Sequence, residues 1–128
     1  MAKKRGTASY EVISGILSFV RSEYISADLK KLSKAFEQLK TFSLTFSLLK
    51  DLTFGQSAIS VEVDRAFQLL FSATVIYYPD MLDNQTYALR QDVFKEIRRD
   101  LPKHFTAREI VQLSEIAEAL EETIAVKK

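Results

Sequence analysis

The spacing of apolar residues near the N-terminus predicts two consecutive helices. A first helix is predicted over residues 8–24, because its apolar residues recur every four positions: Val12, Ile16, Val20 and Tyr24. Ser26 has the character of an N-cap, with Asp28 in the favourable first turn that follows. A second helix is therefore predicted over residues 27–39.

The next segment, TFSLTFSLL over residues 41–49, fits two patterns. Its apolar residues alternate with Ser and Thr, as in a half-buried strand, but they are also four apart, as in a helix. We predict an extended piece over residues 41–44, then a helix over residues 45–52. Gly55, Gln56 and Ser57 are expected to form a turn.

A stronger helical pattern begins at Ser60 in the sequence SVEVDRAFQLLFSA. Its predicted inner face consists of Val63, Ala66, Phe67 and Leu70. Two β-prone segments follow, TVIYY and TYAL, separated by the turn-forming sequence PDMLDNQ. We predict an antiparallel hairpin that pairs residues 74–78 with residues 86–89 and has Asp83 and Asn84 at its tip.

Helical patterns return after the hairpin. One helix is predicted over residues 92–101, closed by Pro102. Thr106 with Glu109 forms a capping-box signature that starts the last helix. The apolar residues of this helix have a heptad-like spacing: Ile110, Leu113, Ala117, Leu120 and Ile124. Such a short apolar seam more often packs on the core of its own chain than on a second chain.

Composition is that of an ordinary intracellular domain. The 128 residues are 47% hydrophobic, which predicts a single domain over residues 1–128 with one core. Residues 1–7 are basic and are expected to be a flexible tail. The absence of cysteine fits a reducing cytosol, and no apolar run is long enough for a membrane span. We therefore expect a cytoplasmic protein that has no membrane partner.

No pattern of catalytic or cofactor-binding residues is present. His104 is the only histidine, so an ordinary zinc site or catalytic triad has too few ligands or partners. Asp80, Asp83 and Asn84 lack the spacing and the closing Glu of a calcium loop, and turn chemistry explains them better. No glycine-rich loop follows a strand. We expect no enzymatic activity, no cofactor, no metal and no small-molecule substrate.

The middle of the chain resembles winged helix-turn-helix domains. SLLKDL resembles their short second helix, SVEVDRAFQLLFSA the third or recognition helix, and TVIYY and TYAL the two wing strands. Residues 27–39 would supply the first helix. The resemblance implies a mainly α fold: a single helix-rich domain with one hairpin, a winged-helix-like core over residues 27–90 and further C-terminal helices over residues 91–128. Many such domains bind DNA in transcriptional regulation, and others bind proteins.

A DNA-binding version of this domain would need cations to contact phosphates. The net charge is only +1, so these cations must come from local groups. The candidate nucleic-acid contacts lie on the second helix, on the recognition helix and around the helix after the hairpin: Lys30, Lys31, Lys34, Arg65, Gln68, Arg98, Arg99 and Lys103. Against DNA stand Glu62 and Asp64 on the recognition helix and a wing tip with carboxylates and no cation.

Two functions therefore stay open. The first is a non-enzymatic winged-helix-like module that acts as a DNA-binding regulator on duplex DNA, and the alternative is a helical adaptor or complex subunit that binds only protein. We also expect a homodimer through the outermost helices, since both have wide apolar stripes.

Overall fold

The computed structural model describes residues 9–42, 46–50, 52–54, 59–80 and 85–126. The expected flexible tail lies outside these ranges. Five α-helices and three strands are present in the described residues, so the expected mainly α fold with a small antiparallel sheet is confirmed. The elements in chain order are α1 (Ser9–Leu17), β1 (Tyr24–Ser26), α2 (Leu29–Phe42), α3 (Val61–Ser72), β2 (Ile76–Tyr77), β3 (Thr86–Leu89), α4 (Gln91–Asp100) and α5 (Ala107–Ile124).

Helix α1 ends at Leu17, so the prediction of a helix to Tyr24 is wrong in its last third. The Ser14 hydroxyl donates to the Glu11 carbonyl, and the Ser18 hydroxyl donates to the Gly15 carbonyl. Such bonds from a side chain to the backbone compete with the backbone hydrogen bonds of a helix. Tyr24 instead begins strand β1, which pairs with β3. The apolar residues do recur every four positions, but the pairing of β1 with the distant strand β3 determines the structure around Tyr24.

Helix α2 is capped by Asp28 and not by Ser26. The Asp28 carboxylate accepts from the amides of Lys30 and Lys31 at 2.9 and 3.4 Å. Ser26 belongs to β1, and its hydroxyl accepts from the Asp28 amide at 3.1 Å. The predicted helix is therefore confirmed with its start moved by two residues.

The segment after α2 differs from both of its predicted forms. Thr41 and Phe42 belong to α2, so the predicted extended piece is wrong there, and residues 43 and 44 lie outside the described residues. Within the predicted helix over residues 45–52, the described residues form only a 3₁₀ turn, Ser47–Leu49. The Gln112 side chain accepts from the Leu48 amide at 2.6 Å and so occupies a donor that a continuing helix would use. The turn predicted at residues 55–57 also lies outside the described residues.

The predicted hairpin is confirmed at its centre. Ile76 pairs with Leu89 and Tyr77 with Ala88 in an antiparallel register, while the predicted tip at residues 83 and 84 lies outside the described residues. The paired part is shorter than predicted, because Thr74 has a φ of 58° at the end of α3 and the Val75 amide donates to the Leu70 carbonyl. Strand β1, which the sequence pattern did not predict, extends the sheet to the order β1-β3-β2.

Helix α3 has one buried face and one exposed face. Ser60 caps it by accepting from the Val63 amide, and the predicted inner face is fully buried: Val63, Ala66, Phe67 and Leu70. This face packs most extensively on α1 and also on α2. The outer side of α3 is therefore held in place by a rigid core.

The C-terminal helices follow their sequence signals closely. Helix α4 covers the predicted region, and the capping box of Thr106 and Glu109 starts α5. The apolar seam of α5 is buried at Leu113, Ala117, Leu120 and Ile124, and α1 is equally buried. The stripes on which we based a homodimer are thus covered by the chain's own core, so a dimer would need another surface. None of the helices in the described residues is long and apolar enough to span a bilayer.

The last turn of α5 holds the connection between α1 and β1. Glu121 accepts from the amides of Arg21 and Ser22 at 3.2 and 2.9 Å and from the Ser22 hydroxyl at 2.6 Å. Beyond it, Ala125 pairs with Ile25, and the Val126 amide donates to the Tyr24 carbonyl at 3.0 Å. Residues 121–126 therefore cover the edge of β1 that β3 does not pair with.

Replacing Glu121 with alanine is expected to lower the free energy of unfolding by about 1–2 kcal/mol. The estimate takes the lower part of the range for hydrogen bonds to a charged group, because the site is only half-buried. Glu122 is the matched control, since it is exposed on the same turn and its truncation should cost less than about 0.5 kcal/mol. Urea denaturation measures both variants, and equal losses would show that the Glu121 hydrogen bonds contribute nothing.

Candidate nucleic-acid and protein interfaces

The lysines of α2 are the most available cations among the predicted site residues. Lys30, Lys31 and Lys34 are all exposed, and none has a carboxylate partner within the described part of the chain. They lie in the first two turns of α2, behind the capping carboxylate of Asp28. This group has the charge and accessibility that a phosphate contact requires.

The predicted site cations of α4 and the following turn are engaged within the chain. The Arg98 guanidinium donates to the Ser18 carbonyl at 3.1 Å and lies over the Phe19 ring at 5.9 Å. Arg99 forms an ion pair with Glu96, and Lys103 lies 3.5 Å from Asp100. Exposed pairs of this kind contribute little to stability, but they lower the positive charge that this group presents to a ligand.

The two basic groups are not brought together by packing. Helix α2 packs on α5 and α3, whereas α4 packs on α1. A single duplex would therefore have to contact two separate parts of the surface to use both groups.

The remaining predicted contacts, Arg65 and Gln68, are both exposed on the outer side of α3. The Gln68 amide donates to the Asp64 carboxylate at 3.0 Å, so its hydrogen-bonding capacity is partly used. Arg65 has no hydrogen bond or ion pair with the described residues. It is the one predicted α3 contact that is fully available to a ligand.

Glu62 supports the fold and does not present a free carboxylate. Its oxygens accept from the Thr53 amide at 2.8 Å, from the Thr53 hydroxyl at 2.8 and 2.9 Å and from the Ser60 hydroxyl at 3.1 Å. Desolvation alone would raise the pKa of Glu62, but these hydrogen bonds outweigh it and hold the pKa below its ordinary value. The charge stays negative at neutral pH, while its oxygens are occupied by the chain.

Sequence reasoning missed a concentration of exposed apolar side chains. Six large hydrophobic residues are exposed in the described part of the chain, and five of them lie between Val61 and Tyr78. They are Val61, Leu69, Phe71, Tyr77 and Tyr78, and together we call them the outer patch. Scattered single apolar residues are normal on a surface, whereas a concentration in one helix and its hairpin makes this region a candidate interaction surface. The signal was present in the sequence, because three of them fall outside the predicted inner face of α3.

The outer patch has two parts on the two sides of α3. On one side, Val61 and Leu69 line a groove against the first turn of α1, together with Tyr10, Glu62, Arg65 and Ala66. On the other side, Phe71 contacts Tyr78 with ring centroids 5.0 Å apart. The exposed Arg65 and Gln68 lie on the outer face of the same helix, so a partner on α3 meets apolar surface with polar groups beside it.

Tyr87 anchors the aromatic side of this patch. Its ring stacks on Phe67 at 5.9 Å and on Tyr78 at 5.4 Å, and the side chain is buried. Desolvation, the neighbouring Tyr78 and the Asp64 carboxylate raise the pKa of the Tyr87 phenol to about 12. The phenol is therefore neutral over the physiological range, and the rings form a rigid support for the exposed Tyr78.

The described residues contain no arrangement of histidine and carboxylate side chains that would bind a metal ion. No group of three His, Cys, Asp or Glu side chains with metal-binding geometry occurs there. The His104 imidazole Nδ1 lies 4.0 Å from a Glu11 carboxylate oxygen, near the first turn of α5. A second pair, Arg90 and Asp92 at 2.9 Å, lies on the surface at the start of α4, where the hydrogen bond lowers the pKa of Asp92. Both pairs join neighbouring surface groups.

No protein-family model, no curated protein and no solved structure matches this chain. Its function is therefore inferred from the chemistry of the surfaces described above. Among those surfaces, the outer patch and the lysines of α2 are the two that present unused binding capacity.

Proposed function

We propose that this chain is a non-enzymatic, winged-helix-like binding module whose partner is a protein that docks on the outer patch. The observation that carries the proposal is the exposure of Val61, Leu69 and Phe71 on α3, with Tyr77 and Tyr78 beside them. Apolar and aromatic side chains, with an arginine among them, are typical of the centre of protein interfaces. A helix that reads base edges would instead present polar groups.

The order of elements supports the winged-helix part of the proposal. Helix α2 precedes α3, and α3 runs directly into the β2–β3 hairpin, which is the order on which the resemblance rests. Within the described residues, the segment SLLKDL contributes only the 3₁₀ turn Ser47–Leu49, so we assign the role of the second helix to α2 and that of the first to α1, which packs on α3. This assignment moves the winged-helix-like core toward the N-terminus of the range expected from sequence.

Electrostatics also favours a protein partner. Helix α3 bears two carboxylates and a single arginine, and carboxylates repel phosphate. Of the predicted site cations on α4 and the turn after it, Arg99 and Lys103 have carboxylate partners and Arg98 donates to a backbone carbonyl. Among the predicted site residues in the described ranges, the α2 lysines and Arg65 have no partner for their charge, and so few separated cations give weak, strongly salt-dependent binding.

A second candidate function, binding of duplex DNA, is favoured by those same lysines. They are exposed, unpaired among the described residues and close to the N-terminus of a helix. In this case neutralising Lys30, Lys31 and Lys34 to glutamine should weaken binding to all sequences alike and flatten the salt slope by about one unit per lost contact. Arg65→Ala should then relax sequence preference.

Site-specific photo-crosslinking in the cells that express the protein tests the proposed function. A photoreactive residue at Leu69 or at Tyr77 should give a discrete protein adduct. The same residue at Lys95, which is exposed on α4, is the control and should give none. A parallel titration with duplex DNA at low salt, where electrostatic attraction is strongest, should show no binding that depends on the lysines. Absence of an adduct at both patch positions, together with lysine-dependent DNA binding, would replace the proposed function with the second candidate.

A further inference from the structure

A groove with a mainly apolar lining lies between α1 and α3. The groove has a volume of about 300 Å³, and its apolar lining residues are Tyr10, Val61, Ala66 and Leu69. Val61, Arg65 and Leu69 follow one another at four-residue intervals along one wall. Eight residues of helix rise about 12 Å, so this wall offers three side chains over roughly two helical turns.

The charge of the groove defines what its ligand must carry. Arg65 is exposed in the middle of the wall and has no carboxylate partner among the described residues. Glu62 also lines the groove, but its oxygens are occupied by Thr53 and Ser60. Glu62 keeps its negative charge, but among the described lining residues the Arg65 guanidinium is the charged group that is free to pair with a ligand, and a carboxylate at the centre of the ligand would complement it.

A second copy of this chain does not provide that carboxylate. In a two-fold symmetric contact between α3 and its copy, the residue at the middle of the wall lies near the symmetry axis and faces itself. Arg65 would then oppose the Arg65 of the other copy, and like charges at close range are unfavourable. The complementary ligand is consequently a segment of another protein.

We propose, resting on the protein-binding function above, that the α1–α3 groove binds an amphipathic helix of the partner protein. This helix has apolar residues one turn before and one turn after a central Asp or Glu. The apolar residues lie against Val61 and Leu69, and the carboxylate pairs with Arg65. Recognition of an amphipathic helix by a groove between helices uses the same spacing of anchors.

Selection from a displayed peptide library tests this assignment. The library is a fixed soluble helical scaffold in which three positions of one face, i, i+4 and i+8, are randomised. The full chain should enrich apolar residues at the two outer positions and Asp or Glu at the centre. The charge-reversed variant Arg65→Glu should enrich Lys or Arg at the centre, because Arg65 lies on the surface and its replacement leaves the core intact.

Direct binding of two selected peptides that differ only in the central residue makes the result quantitative. Wild-type protein should prefer the Glu peptide over the Lys peptide by about five-fold or more, and Arg65→Glu should reverse the order. Amide chemical shifts should change at Tyr10, Ala66 and Leu69 when the peptide is added. A selection without enrichment, or a central preference that Arg65→Glu leaves unchanged, would overturn the proposal. If the peptides fail while Leu69 or Tyr77 still crosslinks to a protein, protein binding stands and the helical ligand is wrong.

Discussion

Truncation of Leu70 to alanine is expected to lower the free energy of unfolding by about 2–5 kcal/mol. The same truncation of its neighbour Leu69 should change it by less than about 0.5 kcal/mol. Leu70 is 0% exposed within the core, whereas Leu69 is 47% exposed beside the groove. The first change opens a cavity that the surrounding side chains fill only in part, and the second removes atoms that are already half in water. Urea denaturation of the two variants measures the difference.

This pair of leucines also separates stability from binding. If the outer patch is the docking surface, Leu69→Ala should weaken the adduct formed from Tyr77 or the binding of a selected peptide while leaving the urea midpoint in place. A large loss of stability for Leu69→Ala would mean that this side chain belongs to the core. A small loss for Leu70→Ala would contradict the packing of α3 on α1 and α2.

Raising the pH from about 10 to about 12 is expected to destabilise the fold through Tyr87. The pKa of this buried phenol is raised to about 12, whereas a tyrosine in the unfolded chain titrates near 10. A raised folded-state pKa means that the contribution is fully present below the unfolded pKa and is lost as the pH rises through the folded one. Two pKa units correspond to about 2.7 kcal/mol, which is an upper bound on this contribution.

The Tyr87→Phe variant isolates that effect. It keeps the ring that stacks between Phe67 and Tyr78 but removes the titrating hydroxyl. Urea denaturation across this pH range should therefore show a smaller alkaline loss for Tyr87→Phe than for the wild type. Tyr77→Phe is the control, since Tyr77 is exposed and should leave the loss unchanged. Identical pH dependence in Tyr87→Phe and wild type would remove Tyr87 as the cause.

Local signals predicted the fold well where they were sufficient by themselves. The Ser60 cap and the buried face of α3 depend on residues within a few positions of one another. The same is true of the Thr106 capping box of α5. Strand β1 was not predicted because its three residues form a strand only by pairing with β3, whose paired residues lie 60 to 64 positions away. The start of α2 was predicted two residues too early because Ser26, the expected N-cap, belongs to β1.

The candidate site was predictable to a similar degree. The exposure of Arg65 and Gln68 follows from the helical periodicity of α3. The ion pair of Arg99 with Glu96 could be read from their three-residue spacing. The hydrogen bond of Arg98 to the Ser18 carbonyl spans 80 positions and could not. The groove was equally hidden, because its second wall comes from α1.

The covering of the outer edge of β1 by residues 121–126 has a consequence for the chain during its synthesis on the ribosome. Glu121 bonds to residues that precede it by 99 and 100 positions, so these contacts form only after about 100 further residues have been made. Because β1 becomes a strand only by pairing with β3, its outer edge first exists when β3 has been made, which at roughly 5–20 residues per second is about 2–7 seconds before Ala125. During that interval the outer edge of β1 has no cover, and open strand edges invite pairing with other chains. The risk of aggregation therefore falls mainly on the nascent chain, and a chaperone that holds its first third would protect it.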